Sequence, residues 1–366
     1  MGEHPLLPDY SGPCVSNVAP ALLVRAADTP PWLPAPAVDA EQVVLLVLDG
    51  LGWWQLQERA RLAPTLTAME GGPIRTVVPS TTAAALTSIV TGTTPGEHGV
   101  VGYRVWVDGA VLNVLRWSTA TGDARDLIPP ESLQPIEPFA GYRPPVVTKA
   151  EFADSGFTQA HLEGVRFTGY RMTSTLITEV RRLTRAGEPF VYAYYEGIDK
   201  VSHEYGLGVH YDAELQAVDQ IVSTMLSVLP SGTALVVTSD HGQVHVGGNV
   251  VPLAPGLLPL MRGQSGEGRF RWLHGRRRRV GDLLEAAQDA HGEQAWVRSR
   301  EEMEMEGWFG PKLTPEARRR LGDVALVARE PVAFDDPADT GPYRLVGRHG
   351  SLTPDEMDVP LLAARA

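Results

Sequence analysis

A mostly parallel α/β sheet with helices on both faces is predicted by three apolar runs, by the helical patterns between them, and by the residues at which the runs stop. Val43 to Leu48 (VVLLVL), Phe190 to Tyr195 (FVYAYY) and Ala234 to Thr238 (ALVVT) are continuous apolar stretches, the pattern of strands buried on both faces. Ahead of the second run Met172, Leu176, Val180 and Leu183 recur at helical spacing, and ahead of the third Leu215, Val218, Val222, Met225 and Leu229 do the same. Strand, helix, strand implies parallel neighbours. Each run ends in an acidic turn: Asp49-Gly50, Glu196-Gly197-Ile198-Asp199, and Ser239-Asp240-His241-Gly242. Sheets of this class hold ligands outside the carboxyl ends of their strands, so the three turns mark one expected site.

Taken in chain order, residues 1–40 are rich in proline and alanine and keep no clean period, although Asn17 to Ala27 reads as a short helix. They are expected to form an arm wrapped on a domain of residues 41–366. Within Pro79 to Gly92 (PSTTAAALTSIVTG), the alanines with Leu86, Ile89 and Val90 predict a buried helix stopped at Gly92, with Ser80, Thr81 and Thr82 at its N-terminus. Residues 103–168 fit the alternation poorly: Tyr103 to Val107 and Val111 to Leu115, joined across an Asp-Gly pair, predict a hairpin, and a proline-rich stretch follows. Residues 260–348 alternate basic, helical and short β-like pieces, including Arg276-Arg277-Arg278-Arg279 and a helical pattern over Asp282 to Ala290. Both segments are expected as cap insertions around the main sheet.

The chain has 366 residues, with Lys+Arg 32 against Asp+Glu 44 and a formal net charge of −12. That balance disfavours non-specific nucleic-acid binding, and the arginine run reads as a solvated surface. Cys14 is the one cysteine, so neither an internal disulfide nor a thiolate metal cluster can form, and any metal must use N and O ligands. Met1 to Pro20 has neither a basic nor an apolar signal region, and no run approaches the ~18 apolar residues of a membrane span. A cytoplasmic location and no membrane partner are expected.

Asp49, Asp199, His203, Asp240, His241 and His349 form a set of carboxylates and imidazoles suited to zinc, manganese or iron. Six ligands exceed one tetrahedral site, whereas two metals about 3.5 to 4 Å apart would use them all and suit displacement at phosphorus. Singly, each has a structural reading as turn, cap or surface residue; three strand ends sharing one chemistry favour the functional one. The hydroxyls of Ser80, Thr81 and Thr82 are either helix caps or a nucleophile beside an anion held by the helix N-terminus.

Together these residues resemble the alkaline phosphatase superfamily, in particular its type I phosphodiesterase and nucleotide pyrophosphatase branch. The resemblance runs from about Val43 through His349 to Met357. It implies Thr82 as catalytic nucleophile, one metal held by Asp49, Thr82, Asp240 and His241, and a second held by Asp199, His203 and His349. The metals implied are two divalent ions, zinc first and manganese second, and the intermediate is a phospho-threonine. Nucleotide-cleaving members resemble Thr-Phe-Pro-Asn at the nucleophile, where this chain has Thr82-Ala83-Ala84-Ala85. The stacking aromatic and the amide donor are both missing there, so nucleotides are not expected to be favoured over simple aryl or alkyl diesters. An arginine from a cap segment is a candidate replacement donor.

Other chemistries are not supported. Gly50-Leu51-Gly52 meets Gln55 where the dinucleotide fingerprint needs a third glycine, and neither a Walker loop nor a G-x-S-x-G elbow occurs. Cys14 lacks the sulfatase context, and His98, His210 and His245 read as structural. The expected activity is hydrolysis of a small phosphate ester, a diester or pyrophosphate first. A phosphomonoesterase or phosphomutase of the same superfamily, and an inactive metal-stabilised binding protein, stand as alternatives.

Overall fold

The computed structural model describes residues 4–23, 29–341 and 344–366. A helix occupies Val18–Leu23, and residues 24–27 of the helix expected there lie outside the described residues. The main sheet has seven strands: β1 (Val43–Leu48), β2 (Glu70–Arg75), β3 (Pro145–Lys149), β4 (Arg166–Tyr170), β5 (Phe190–Tyr195), β6 (Ala234–Thr238) and β11 (Asp358–Arg365). Their order across the sheet is β2-β11-β6-β1-β5-β3-β4, and only β11 runs against the rest. The predicted fold class is therefore the observed one.

Burial explains why β1 reads as an unbroken apolar run. Val43, Leu45 and Val47 enter the core on one face, with the Thr82–Thr91 helix and the N-terminal arm. Val44, Leu46 and Leu48 enter the core on the other, with Leu215, Val218, Val222 and Met225 of the Val209–Val228 helix. Both faces are covered by helix, so alternation has no polar side to show. The Thr173–Arg185 helix buries Leu176, Val180 and Leu183, while Met172 stands exposed just before it. In the N-terminal segment Cys14, Val15 and Val18 are fully buried, and the Tyr10 hydroxyl donates to the Trp308 carbonyl at 2.7 Å.

A second sheet of four antiparallel strands, β7 (Met261–Glu267), β8 (Phe270–Gly275), β9 (Ala295–Ser299) and β10 (Val324–Ala328), lies within residues 260–348. With the Val280–His291 helix it buries an apolar cluster of its own. Arg276 to Arg279 are exposed ahead of that helix, as a solvated run would be. The hairpin at Arg104–Val107 and Ala110–Asn113 turns through Asp108 and Gly109, both at positive φ (47° and 92°), which is the two-residue turn an Asp-Gly pair supports.

One segment differs from expectation. The stretch 103–168 is not a single insertion, because β3 and β4, within 145–170, extend the main sheet at its edge. Two features hid them: β3 is short and led by proline, and edge strand β4 is exposed or half-buried except at Tyr170.

Candidate metal centre

Strands β6, β1 and β5 are neighbours in one parallel register, so their carboxyl ends deliver Asp240, Asp49 and the Glu196-Gly197 turn side by side. The Gly197–Tyr205 helix leaves that turn with Asp199 in its first turn and His203 one turn later. The Asp199 amide donates to the Asp49 carbonyl at 3.0 Å, which ties the two turns together. Gly50 permits the approach: its φ is +77°, and a Cβ there would lie 2.9 Å from the Asp199 Cα. Gly50→Ala is therefore expected to lower stability by at least ~1 to 2 kcal/mol from backbone strain alone. It should also displace Asp199. Thermal unfolding and bound-metal content of the variant check both effects.

Each carboxylate has one oxygen held and one free. Asp240 Oδ1 accepts from the backbone amides of Gly50 (3.1 Å) and His241 (3.0 Å), while Oδ2 is buried without a partner. Asp49 Oδ2 accepts from the Tyr194 hydroxyl, while Oδ1 is buried without a partner. His241 Nε2 lies 3.4 Å from Asp49 Oδ1 and 3.5 Å from Asp240 Oδ2. The Asp49 carboxyl is pushed well above the usual carboxylate range by burial and then by the charges of Asp240 and Asp199.

All three histidines are oriented alike. The Nδ1 groups of His203, His241 and His349 face the carbonyls of Gly347 (2.8 Å), Gly242 (3.0 Å) and Ser80 (3.0 Å), which can only accept. Each Nδ1 is thus placed to donate, and each Nε2 is the atom turned to the site. His349 Nε2 and His203 Nε2 lie 3.7 Å and 3.3 Å from Asp199 Oδ1, and the His241 and His349 rings stack at 3.6 Å. Burial, then the neighbouring imidazoles, holds His349 well below the usual histidine value. Two groups have ligand atoms close enough to share an ion: Asp49, Asp240 and His241, and Asp199, His241 and His349. His241 belongs to both, and His203 borders the second.

The three hydroxyls separate by geometry. Ser80 Oγ donates to the Ser351 carbonyl at 2.6 Å and accepts from the Gly350 amide at 3.2 Å, so it fastens the His349 segment. Thr81 is the helix N-cap residue, but its side chain makes no capping bond, contrary to the reading of it as a cap. Thr82, the first helical residue, places Oγ1 at 3.1 Å from His241 Nε2.

Thr82, Asp199 and His203 stand between two cavities. A larger one of about 660 Å³ includes Glu267, Arg348 and His349; a smaller one of about 360 Å³ includes Leu86, Phe152, Phe157 and Tyr194. Ala83, Ala84 and Ala85 are fully buried in the core and present nothing to either. The aromatic wall is supplied instead by residues the sequence did not single out. Gln243 is another: its amide donates to Asp199 Oδ1. Glu267, at the tip of the β7–β8 hairpin, is pushed up to about 8 by burial, with the Thr81 hydroxyl and Arg271 opposing the shift. His98 is buried against Ser88 Oγ (2.8 Å), His210 stacks on Tyr205, and His245 accepts from the Leu207 amide, so none joins the centre.

A family model for type I phosphodiesterase/nucleotide pyrophosphatase matches residues 43–352. The chain belongs to that family. The type I phosphodiesterase/nucleotide pyrophosphatase family consists of hydrolases of the phosphodiesterase type, and the chain is an enzyme of that class. No curated protein matches in sequence. Among solved structures, human ectonucleotide pyrophosphatase/phosphodiesterase 5 is similar at 16% identity and a TM-score of 0.64, over 88% of this chain and 87% of that one. The murine protein in an inactive form with AMP gives 16% and 0.62, over 88% and 87%. Phosphonoacetate hydrolase from Sinorhizobium meliloti with phosphonoformate gives 18% and 0.60, over 92% and 91%. These likenesses show a shared fold. Members of the family depend on metals, and the chain's donor set fits them: Asp49 and Asp240 each keep a buried carboxylate oxygen without a partner beside His241 Nε2, and the Nε2 atoms of His203 and His349 lie near Asp199. No helix among the described residues is long and apolar enough to cross a membrane.

Proposed function

We propose that this protein hydrolyses phosphodiester or pyrophosphate bonds of a small substrate, with Thr82 as nucleophile at a centre for two divalent cations, zinc first. The reading is carried by one observation: Thr82 Oγ1 stands at the N-terminus of a buried helix, 3.1 Å from the imidazole whose Nε2 also faces the free oxygens of Asp49 and Asp240. Asp49, Asp240, His241 and Thr82 would hold one cation, and Asp199, His203 and His349 the other. Bound there, the cations supply Lewis acidity that lowers the pKa of a coordinated hydroxyl and stabilises charge on phosphoryl and leaving oxygens.

The chain's own residues account for the rest. His241, anchored through Nδ1 at the Gly242 carbonyl, turns Nε2 to Thr82 Oγ1 and would hold that hydroxyl in place for attack on phosphorus. As the Thr82 oxygen bonds to phosphorus it gives up its proton to solvent water, the bond to the leaving oxygen breaks, and that oxygen takes the electron pair. The positive end of the helix dipole, at Thr82, stabilises the phosphoryl oxygens. Water then displaces Thr82 from phosphorus and restores the hydroxyl. The two cavities flanking Thr82 favour a substrate with a group on each side of phosphorus, a diester over a monoester.

Turnover of aryl monoesters, diesters and pyrophosphates, with zinc or manganese restored to metal-free protein, tests this. Diester cleavage that needs the metal is expected. Failure of every panel member to react would sink the hydrolase reading, and return of the phosphoryl group to substrate would make the enzyme a mutase.

A further inference from the structure

The larger cavity carries three guanidinium groups, from Arg116, Arg344 and Arg348, and none forms an ion pair among the described residues. Arg116 and Arg344 reach only the carbonyls of Thr340 (3.4 Å) and Gly248 (3.1 Å) at the rim. Arg348 lies deeper. Its side chain makes no hydrogen bond to a described residue, and its Nε is buried without an acceptor. The buried arginines elsewhere among the described residues are engaged: Arg104 and Arg271 with Asp336, Arg269 with Glu356, and Arg320 with the carbonyls of Gly99 and Leu133. Arg348 is half-buried, with Nε shut off from water and the rest of the guanidinium facing the cavity, so the group is placed to receive an anion that enters there.

The place of the side chain says which part of the substrate it meets. Arg348 ends the short strand Gly347–Arg348 paired with Val244–His245, and His349 follows. Arg348 lines the same cavity as His349 but forms no ion pair with the carboxylates of the centre, whereas His349 Nε2 lies 3.7 Å from Asp199 Oδ1. The Arg348 Nη1 comes to rest against Gly268, 2.7 Å from where a Cβ would stand. The acids on the same wall make no ion pair with it: Asp339 accepts from the Tyr103 hydroxyl and acts on Arg348 only through its charge, and neither Asp335 nor Glu267 pairs with it. We propose that Arg348 holds a second anionic group of the substrate, a carboxylate or phosphate borne on the part of the molecule beyond the reacting phosphorus.

This rests on the phosphohydrolase reading above, and the test separates the two. Ethyl, 2-carboxyethyl and 2-phosphonoethyl esters of p-nitrophenyl phosphate share one scissile bond and differ only in the distal charge. Zinc-loaded enzyme should prefer a charged ester, and Arg348→Gln should reduce that preference in kcat/KM by ~10- to 100-fold, chiefly through KM. Arg348→Lys, which keeps the charge without the planar fork, should fall between. The carboxylate and phosphonate arms distinguish the two sources of charge. Equal losses on all three esters would place Arg348 on the reacting phosphoryl group and overturn the proposal. Calorimetric titration of 3-phosphonopropionate and propylphosphonate gives a second readout, since tighter binding of the former should vanish in Arg348→Gln. That binding difference in a protein without turnover would sink the hydrolase reading alone; turnover with the same charge preference in both proteins would sink Arg348 alone.

Discussion

Thr82→Ala should lower turnover of an aryl phosphodiester by at least ~10³-fold while leaving the fold in place, because it deletes the attacking oxygen and one metal ligand together. The stability cost is small for stated reasons. Thr82 makes one side-chain hydrogen bond, to His241, and alanine is the better helix former at the first position of a helix already rich in it. A loss within about 1 kcal/mol is expected for one hydrogen bond. Thr82→Ser keeps the hydroxyl and should keep part of the activity. Thr81→Ala should cost less than the ~0.5 to 2 kcal/mol typical of a helix cap, since no capping bond is there to lose. Ser80→Ala should act on stability through the Gly350-Ser351 segment. Steady-state kinetics with thermal unfolding of all four variants separates chemistry from folding. Near-normal turnover in Thr82→Ala with loss in Thr81→Ala would move the nucleophile by one residue.

What the sequence shows and hides follows from how local each signal is. Strands β1, β5 and β6 are legible because both faces are covered by helix, so each is uniformly apolar and stops at a polar turn. Their shared register, which brings Asp49, Asp199 and Asp240 together, is a property of the sheet that parallel strand order makes predictable. Edge strands β3 and β4 carry no such signature. The supporting residues are harder still. Tyr194 sits within an apolar strand, where an aromatic reads as core, yet its hydroxyl holds one oxygen of Asp49. Gln243 and Glu267 act through contacts 44 and more residues distant in sequence, and no local pattern announces them. Arg348 did have a signal, its place next to His349, but its lack of a partner is visible only in three dimensions. The alanines after Thr82 offer no aromatic platform because they are core residues, while Phe152, Phe157 and Tyr194 line the cavity from other elements. Base-free diesters therefore have to be compared with nucleotides on the merits of that cavity rather than of Ala83.

Removal of divalent metal should abolish turnover and lower the unfolding temperature, and readdition of two equivalents per chain should restore both. The physical reason is charge. Asp49 and Asp240 bury oxygens that have no partner, and burial together with the neighbouring carboxylates raises the Asp49 pKa in the metal-free protein. A carboxyl whose folded pKa is raised stabilises the fold fully below its unfolded value, ~3.9, and that contribution is lost as pH rises through the folded pKa. Metal-free protein should thus weaken as pH rises from ~4, whereas a cation takes the place of the proton and keeps the loaded protein stable. The gap between loaded and metal-free unfolding temperatures should widen with pH. At free metal about 100-fold above Kd, one site contributes ~2.7 kcal/mol, and two independent sites about twice that. Variants divide the centre: Asp199→Asn with His349→Ala should leave one ion per chain, held by Asp49, Asp240 and His241, and Asp240→Asn should weaken that one. Metal analysis that finds a single ion in the unaltered protein, with an unfolding temperature indifferent to chelation, would remove the two-cation centre and the mechanism built on it.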